Sequence, residues 1–187
     1  MQASCEKLTR VITALNDIGL VARIVVGASG FLQKIRIVSG ELHIAPDCPV
    51  SDVLHEAGHL ACIPRRFRHR ANDDLAVLAR EMLAEVGEQD AWCETPLYRA
   101  VIQCSDTEAT AWAWAFGQHL GLAADDIIED HQYPDENGVG TGAELRMALS
   151  MRMYAGIHGL AHAGFCSTNR LGRLPRYPDL VFWTQEL

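Results

Sequence analysis

The chain has 187 residues, 49% of them apolar and 21% charged, the balance of a soluble globular domain long enough to bury a real core. A formal net charge of −8 argues against a general nucleic-acid binder, which is ordinarily basic, and no apolar run approaches the length needed to span a bilayer. The first residues carry no basic-then-apolar signal pattern, and the six cysteines (5, 48, 62, 93, 104 and 166) form no C-x-x-C pair, so the expectation is a cytoplasmic protein with reduced, mostly buried thiols.

In chain order, Leu8, Val11, Ile12, Leu15 and Ile18 recur at helical spacing and predict a helix over 4–18, stopped by Gly19. The short β-branched run 20–26 reads as a strand. Residues 34–38 and 41–45 alternate around Ser39-Gly40 and predict a hairpin. The prolines at 46 and 49 lead into a half-buried helix that Ser51 or Asp47 could cap and Pro64 could end. Arg65-Arg66-Phe67-Arg68-His69-Arg70 reads as a solvated basic loop, with contact to an acidic partner as its functional alternative. Helices follow over 73–88, 96–101, 106–120, 124–131 and 143–156, with a loop over 90–96 and a Gly-rich loop over 134–142. That second loop lacks the lysine of a phosphate-binding loop. Gly156, Gly159 and Gly164 are expected to disturb whatever follows. The tail over 174–187 reads as an extended segment packed back on the body.

The chemistry concentrates on His55-Glu56-Ala57-Gly58-His59. Residues i and i+4 stack on one helical face, so two imidazoles there can grip one Zn²⁺ while Glu56 takes a proton from a metal-bound water. The small Ala57 and Gly58 let a second helix pack closely. A catalytic zinc needs a third protein ligand. Glu108, at the start of an Ala-rich helix, is the expected one. Ser105-Asp106-Thr107-Glu108 is also S-x-x-E, a capping box that would occupy Glu108, and Asp106 is then the first alternative, as a ligand or as a group orienting a histidine. Glu81 and Glu85 are further candidates. Cys62 lies ~10 Å along the helix from His55 and reads as a core thiol. His158 and His162 form another i, i+4 pair, but without a following glutamate they do not read as a separate metal site; His158 or Tyr154 is instead expected to stabilise the oxyanion. His43, His69, His119 and His131 show no evident partner. The tryptophans read as core, with Trp112 and Trp114 as walls of the site.

H-E-A-G-H on a helix after a small sheet, followed by Glu108-Ala109-Thr110-Ala111, resembles the zincin metallopeptidases, and within them the compact, gluzincin-type ImmA/IrrE family, over about residues 20–120. The resemblance implies an α+β, mostly helical domain in which a small antiparallel or mixed sheet packs beside the H-E-x-x-H helix. Residues 121–187 would be a helical extension of that single domain. It further implies a bacterial or phage-encoded zinc metallopeptidase acting on a protein such as a repressor. The spacing from His59 to Glu108 is longer than in that family, as if a helix were inserted. The same H-E-A-G-H string occurs in membrane-bound AAA+ proteases, where the third ligand is Asp; this chain has neither their ATPase module nor their spans.

The sequence therefore points to hydrolysis of a protein or peptide substrate, with His55, His59 and Glu108 holding zinc, Glu56 as general base and one hairpin strand offering its edge to the substrate. Two alternatives stay open: a non-catalytic zincin-like binding or regulatory module, and a zinc amidohydrolase acting on a non-peptide amide. Mn²⁺ or Fe²⁺ would also suit a His₂-carboxylate site.

Overall fold

The computed structural model describes residues 2–88 and 95–187, so Trp92, Cys93 and most of the loop expected over 90–96 lie outside the described residues. The chain is α+β. Helix α1 (Gln2–Asp17) is followed by three short strands, β1 (Ala22–Ile24), β2 (Ile35–Val38) and β3 (Glu41–Ile44). Gly19 adopts φ +86° where α1 stops, as its lack of a Cβ allows. The sheet order is β1-β3-β2, with β1 parallel and β2 antiparallel to β3. The β2–β3 hairpin turns on Ser39 (φ 51°) and Gly40 (φ 79°), the paired positive φ of a type I′ turn. Ile35, Ile37, Leu42 and Ile44 bury one face of the sheet.

Helix α2 (Val50–Cys62) carries the H-E-x-x-H residues. Its N-cap is Pro49, with no side-chain cap; Ser51 turns instead to Glu129. The basic run is not a loose loop. It forms the single-turn helix α3 (Arg65–Arg68), and its charges are used internally. Arg66 and Arg70 pair with Glu85 and Glu81, Arg65 pairs with Glu186, and Arg68 donates to the carbonyls of Leu60, Ile63 and Gln185. These pairings also engage Glu81 and Glu85 away from the histidines.

Helices α4 (Leu75–Gly87, capped by Asp74) and α5 (Pro96–Val101) lead to α6 (Asp106–His119). Trp112 and Phe116 of α6 stack at 4.8 Å and are fully buried in the core, so Trp112 belongs to the interior rather than to a site wall. The remaining helices are α7 (Ala124–Ile127), α8 (Gly142–Ser150) and α9 (Ala155–His162). The predicted helix over 143–156 thus ends early, and a new one begins after Arg152 adopts φ 59°. Gly156 and Gly159 do not break α9; they sit inside it where it crosses α6. A Cβ on Gly156 would overlap the Thr107 carbonyl, and one on Gly159 would overlap the Glu108 carboxylate. The tail packs back on the body without regular structure: Gln185 N–H donates to Ala61 O at 2.9 Å, and Trp183 O accepts from Trp112 Nε1 at 2.8 Å. Cys48, Cys62 and Cys166 are buried free thiols, Cys104 is partly buried and Cys5 is exposed. Among the described residues, no helix is long and apolar enough to cross a membrane.

Candidate metal centre

Helices α2 and α6 cross so closely that a Cβ on Gly58 would lie 2.9 Å from Ala109 Cα. This close approach brings the start of α6 over the face of α2 that bears the histidines. Nε2 of His55 and Nε2 of His59 stand 3.1 Å apart, and Asp106 Oδ1 lies 3.7 and 3.2 Å from them. Four ligands at the 2.0–2.1 Å typical of zinc define a tetrahedron with edges of roughly 3.3 Å. The three observed separations bracket that edge, so the donor set fits a small divalent cation. Among the described residues, this is the group of three ligating side chains close enough to share an ion.

Glu108 stands elsewhere, and helix register explains why. Ser105 is the N-cap, which makes Asp106 the first helical residue and Glu108 the third. Two residues are ~200° apart around a helix, so the two carboxylates leave α6 on opposite sides. Glu108 turns back to accept from the Ser105 amide (3.2 Å) and hydroxyl, closing the capping box, and its other oxygen faces Gly159 on α9. Asp106 faces α2. Its carboxylate is 83% exposed, leaving the centre open on the solvent side. The imidazoles of His55 and His59 beside it hold its carboxyl well below the usual carboxylate range.

Glu56 lines the same cleft. Burial is the main cause that raises its carboxyl from an ordinary 4.5 to about 7, partly offset by His55. The cleft encloses about 1010 Å³ and is bordered by Phe31 and Leu32, by Ile35 and Arg36 of β2, by 73–76 at the start of α4, and by 131–134. Strand β2 is the sheet edge on this side. Its outward amides are partly taken: Ile37 N–H donates to Asp73 Oδ1 at 2.7 Å and Ser39 N–H to Asn72 Oδ1 at 3.1 Å. By strand alternation the backbone groups of Ile35 also point outward, into the cleft.

Two further groups touch the centre. Tyr133 OH lies 3.0 Å from His55 Nδ1 and 3.0 Å from Thr110 Oγ1, which donates to Asp106 O at 2.8 Å. Thr110 follows Asp106 by one helical turn and so shares its face, a signal present in the sequence at i, i+4. Tyr133 comes from an irregular loop at φ 55°, and only the Tyr-Pro turn signal marks it. That loop is tied to the start of α2: Ser51 Oγ donates to Glu129 Oε1 at 3.1 Å and Gln132 Nε2 to Asp52 Oδ1 at 2.8 Å. Burial pushes the Tyr133 phenol up to about 12, so it stays neutral. His59 Nδ1, by contrast, is buried with no hydrogen-bond partner.

Of the other residues singled out in the sequence, Tyr154 caps α9, does not line the cleft, and interacts with Thr110. His158 is exposed on α9 and does not line the cleft either, and His162 pairs with Gln103 at 3.4 Å. His131 is a cleft residue that lies 3.4 Å from Glu129. The chain matches no family model, no curated protein and no solved structure.

Proposed function

We propose that this protein is a zinc-dependent metallopeptidase of zincin type, with His55, His59 and Asp106 as metal ligands and Glu56 as general base. The convergence of three ligand atoms beside a partly buried carboxylate, in one open cleft, carries this reading. Zinc held there supplies a Lewis acid for the substrate carbonyl and lowers the pKa of a water towards ~7. Glu56 takes the proton of the attacking water and returns it to the leaving amine, a task suited to a carboxyl titrating near neutrality. An open cleft bordered by a strand edge supports a peptide over a compact small molecule. With Asp73 and Asn72 covering Ile37 and Ser39, an extended substrate meets that edge at Ile35.

Metal content and cleavage of a peptide library, measured on three variants, test the assignment. Glu56→Gln keeps zinc and loses activity by ~10²–10⁴-fold. Asp106→Ala loses both. Glu108→Ala keeps zinc and instead loses about 1–2 kcal/mol of stability, because the Ser105 amide loses its capping-box acceptor. Wild-type cleavage by Glu56→Gln, or zinc that stays in Asp106→Ala and leaves in Glu108→Ala, would overturn the assignment.

A further inference from the structure

We propose that Tyr133 and Thr110 are positioning residues that lock His55 in its Nδ1–H tautomer and so aim the Nε2 lone pair at the metal. The inference rests on His55 Nε2 being a ligand, and it follows from counting protons along one chain. The chain ends on the backbone carbonyl of Asp106, which only accepts. Thr110 Oγ1, 2.8 Å away, therefore spends its one proton there. Towards Tyr133, at 3.0 Å, Thr110 can then only accept, so the phenol spends its proton on Thr110. The Tyr133 oxygen has no proton left for His55 Nδ1, also at 3.0 Å, and the imidazole must donate. A neutral ring that is protonated at Nδ1 carries its lone pair on Nε2. The chain starts on one ligand and ends on the main chain of another, so the same three bonds fix the His55 ring and the first turn that presents Asp106.

The backbone supports a dedicated role. Tyr133 is a bulky residue at φ 55°, a conformation that persists only where its surroundings impose it. The bonds from Ser51 to Glu129 and from Gln132 to Asp52 hold that loop against α2.

His59 has no such lock. With no partner at Nδ1, its ring hydrogen finds acceptors only at Nε2, where His55 Nε2 stands at 3.1 Å and Asp106 Oδ1 at 3.2 Å. In the metal-free protein the two histidines therefore hold opposite tautomers, Nδ1–H at His55 and Nε2–H at His59. Zinc makes both Nδ1–H.

Long-range ¹H–¹⁵N correlation spectra of the imidazoles, recorded on the full chain at about pH 8.5, read this directly. The expected spectrum shows the Nδ1–H pattern for His55 with and without zinc, and a switch of His59 from Nε2–H to Nδ1–H when zinc is added. Zinc affinity, read by competition with a chromophoric chelator, falls about 10- to 100-fold in Tyr133→Phe and in Thr110→Val. The double variant falls less than the two single effects multiplied together, because both residues converge on His55 Nδ1, Tyr133 at 3.0 Å and Thr110 through Tyr133 and directly at 3.5 Å. Metal-free His55 in the Nε2–H form, or wild-type zinc affinity in both single variants, overturns the proposal. The tautomer of metal-free His55 is readable even in a protein that takes up no zinc, a result that would remove the peptidase reading on its own.

Discussion

Glu56 shows what drawing one carboxyl out of water costs the fold. Its carboxyl titrates at about 7 when folded, against an ordinary 4.5, and burial is the main reason. A raised carboxyl pKa means that the folded state holds its proton longer than the unfolded state. Between pH 4.5 and 7 the folded chain therefore binds more protons, and stability falls as pH rises. The penalty is absent below the unfolded value and complete above the folded one, on the order of 3 kcal/mol. In chelator-treated protein, Glu56→Gln is expected to melt well above wild type at pH 8 and close to it at pH 4. Denaturant titrations at the two pH values measure this. A variant no more stable than wild type at pH 8 would show that the metal-free site already solvates this carboxylate.

Among the elements, the α2–α6 crossing decides whether there is a site at all. Gly58 is the contact point, facing the Ala109 backbone with no room for a Cβ. Gly58→Ala improves the intrinsic helix propensity of α2, by up to about 1 kcal/mol, yet forces α6 outward. Overpacking of this kind costs roughly 1–3 kcal/mol, and the shift separates Asp106 from the histidines. The variant is expected to be less stable and to bind zinc at least tenfold more weakly; a gain in both melting temperature and affinity would show that the helices do not meet here. The small residues of H-E-A-G-H make this crossing legible in the sequence, as Ser39-Gly40 makes the hairpin legible. The choice between Asp106 and Glu108 is less legible, because Ser105-Asp106-Thr107-Glu108 offers two carboxylates and only the N-cap register says which one faces α2. Gly156 and Gly159 read as breakers because the sequence does not show that α9 presses against Thr107 and Glu108. Tyr133 was illegible for a related reason: a loop residue has no periodicity, and its place at His55 depends on tertiary contacts from Ser51 and Asp52.

Across the whole molecule, the tail ties together the same two helices that carry the candidate metal centre. Trp183 packs edge-on against Phe116 at 4.9 Å, and its carbonyl accepts from Trp112, both residues of α6. Gln185 bonds Ala61 at the end of α2, and its side-chain amide donates to Ala163 O just beyond α9 at 3.0 Å. Arg68 donates to Gln185 O from α3 at 2.9 Å. Removing residues 183–187 deletes a large aromatic contact and leaves Ala61 O, Ala163 O and the buried Trp112 N–H without these partners. Loss of one packed aromatic alone typically costs 3–5 kcal/mol. A ligand at 100 times its Kd restores about 2.7 kcal/mol. The truncated chain is therefore expected to melt far below wild type in chelator, and to recover part of the loss when zinc is added. The recovery should be smaller than the zinc increment of the full chain, since freeing the end of α2 at Ala61 loosens His59 two residues away. Thermal melts of both chains, with zinc and with chelator, give four numbers that decide it. A zinc increment of equal size in both would mean that the tail supports the core without shaping the metal centre.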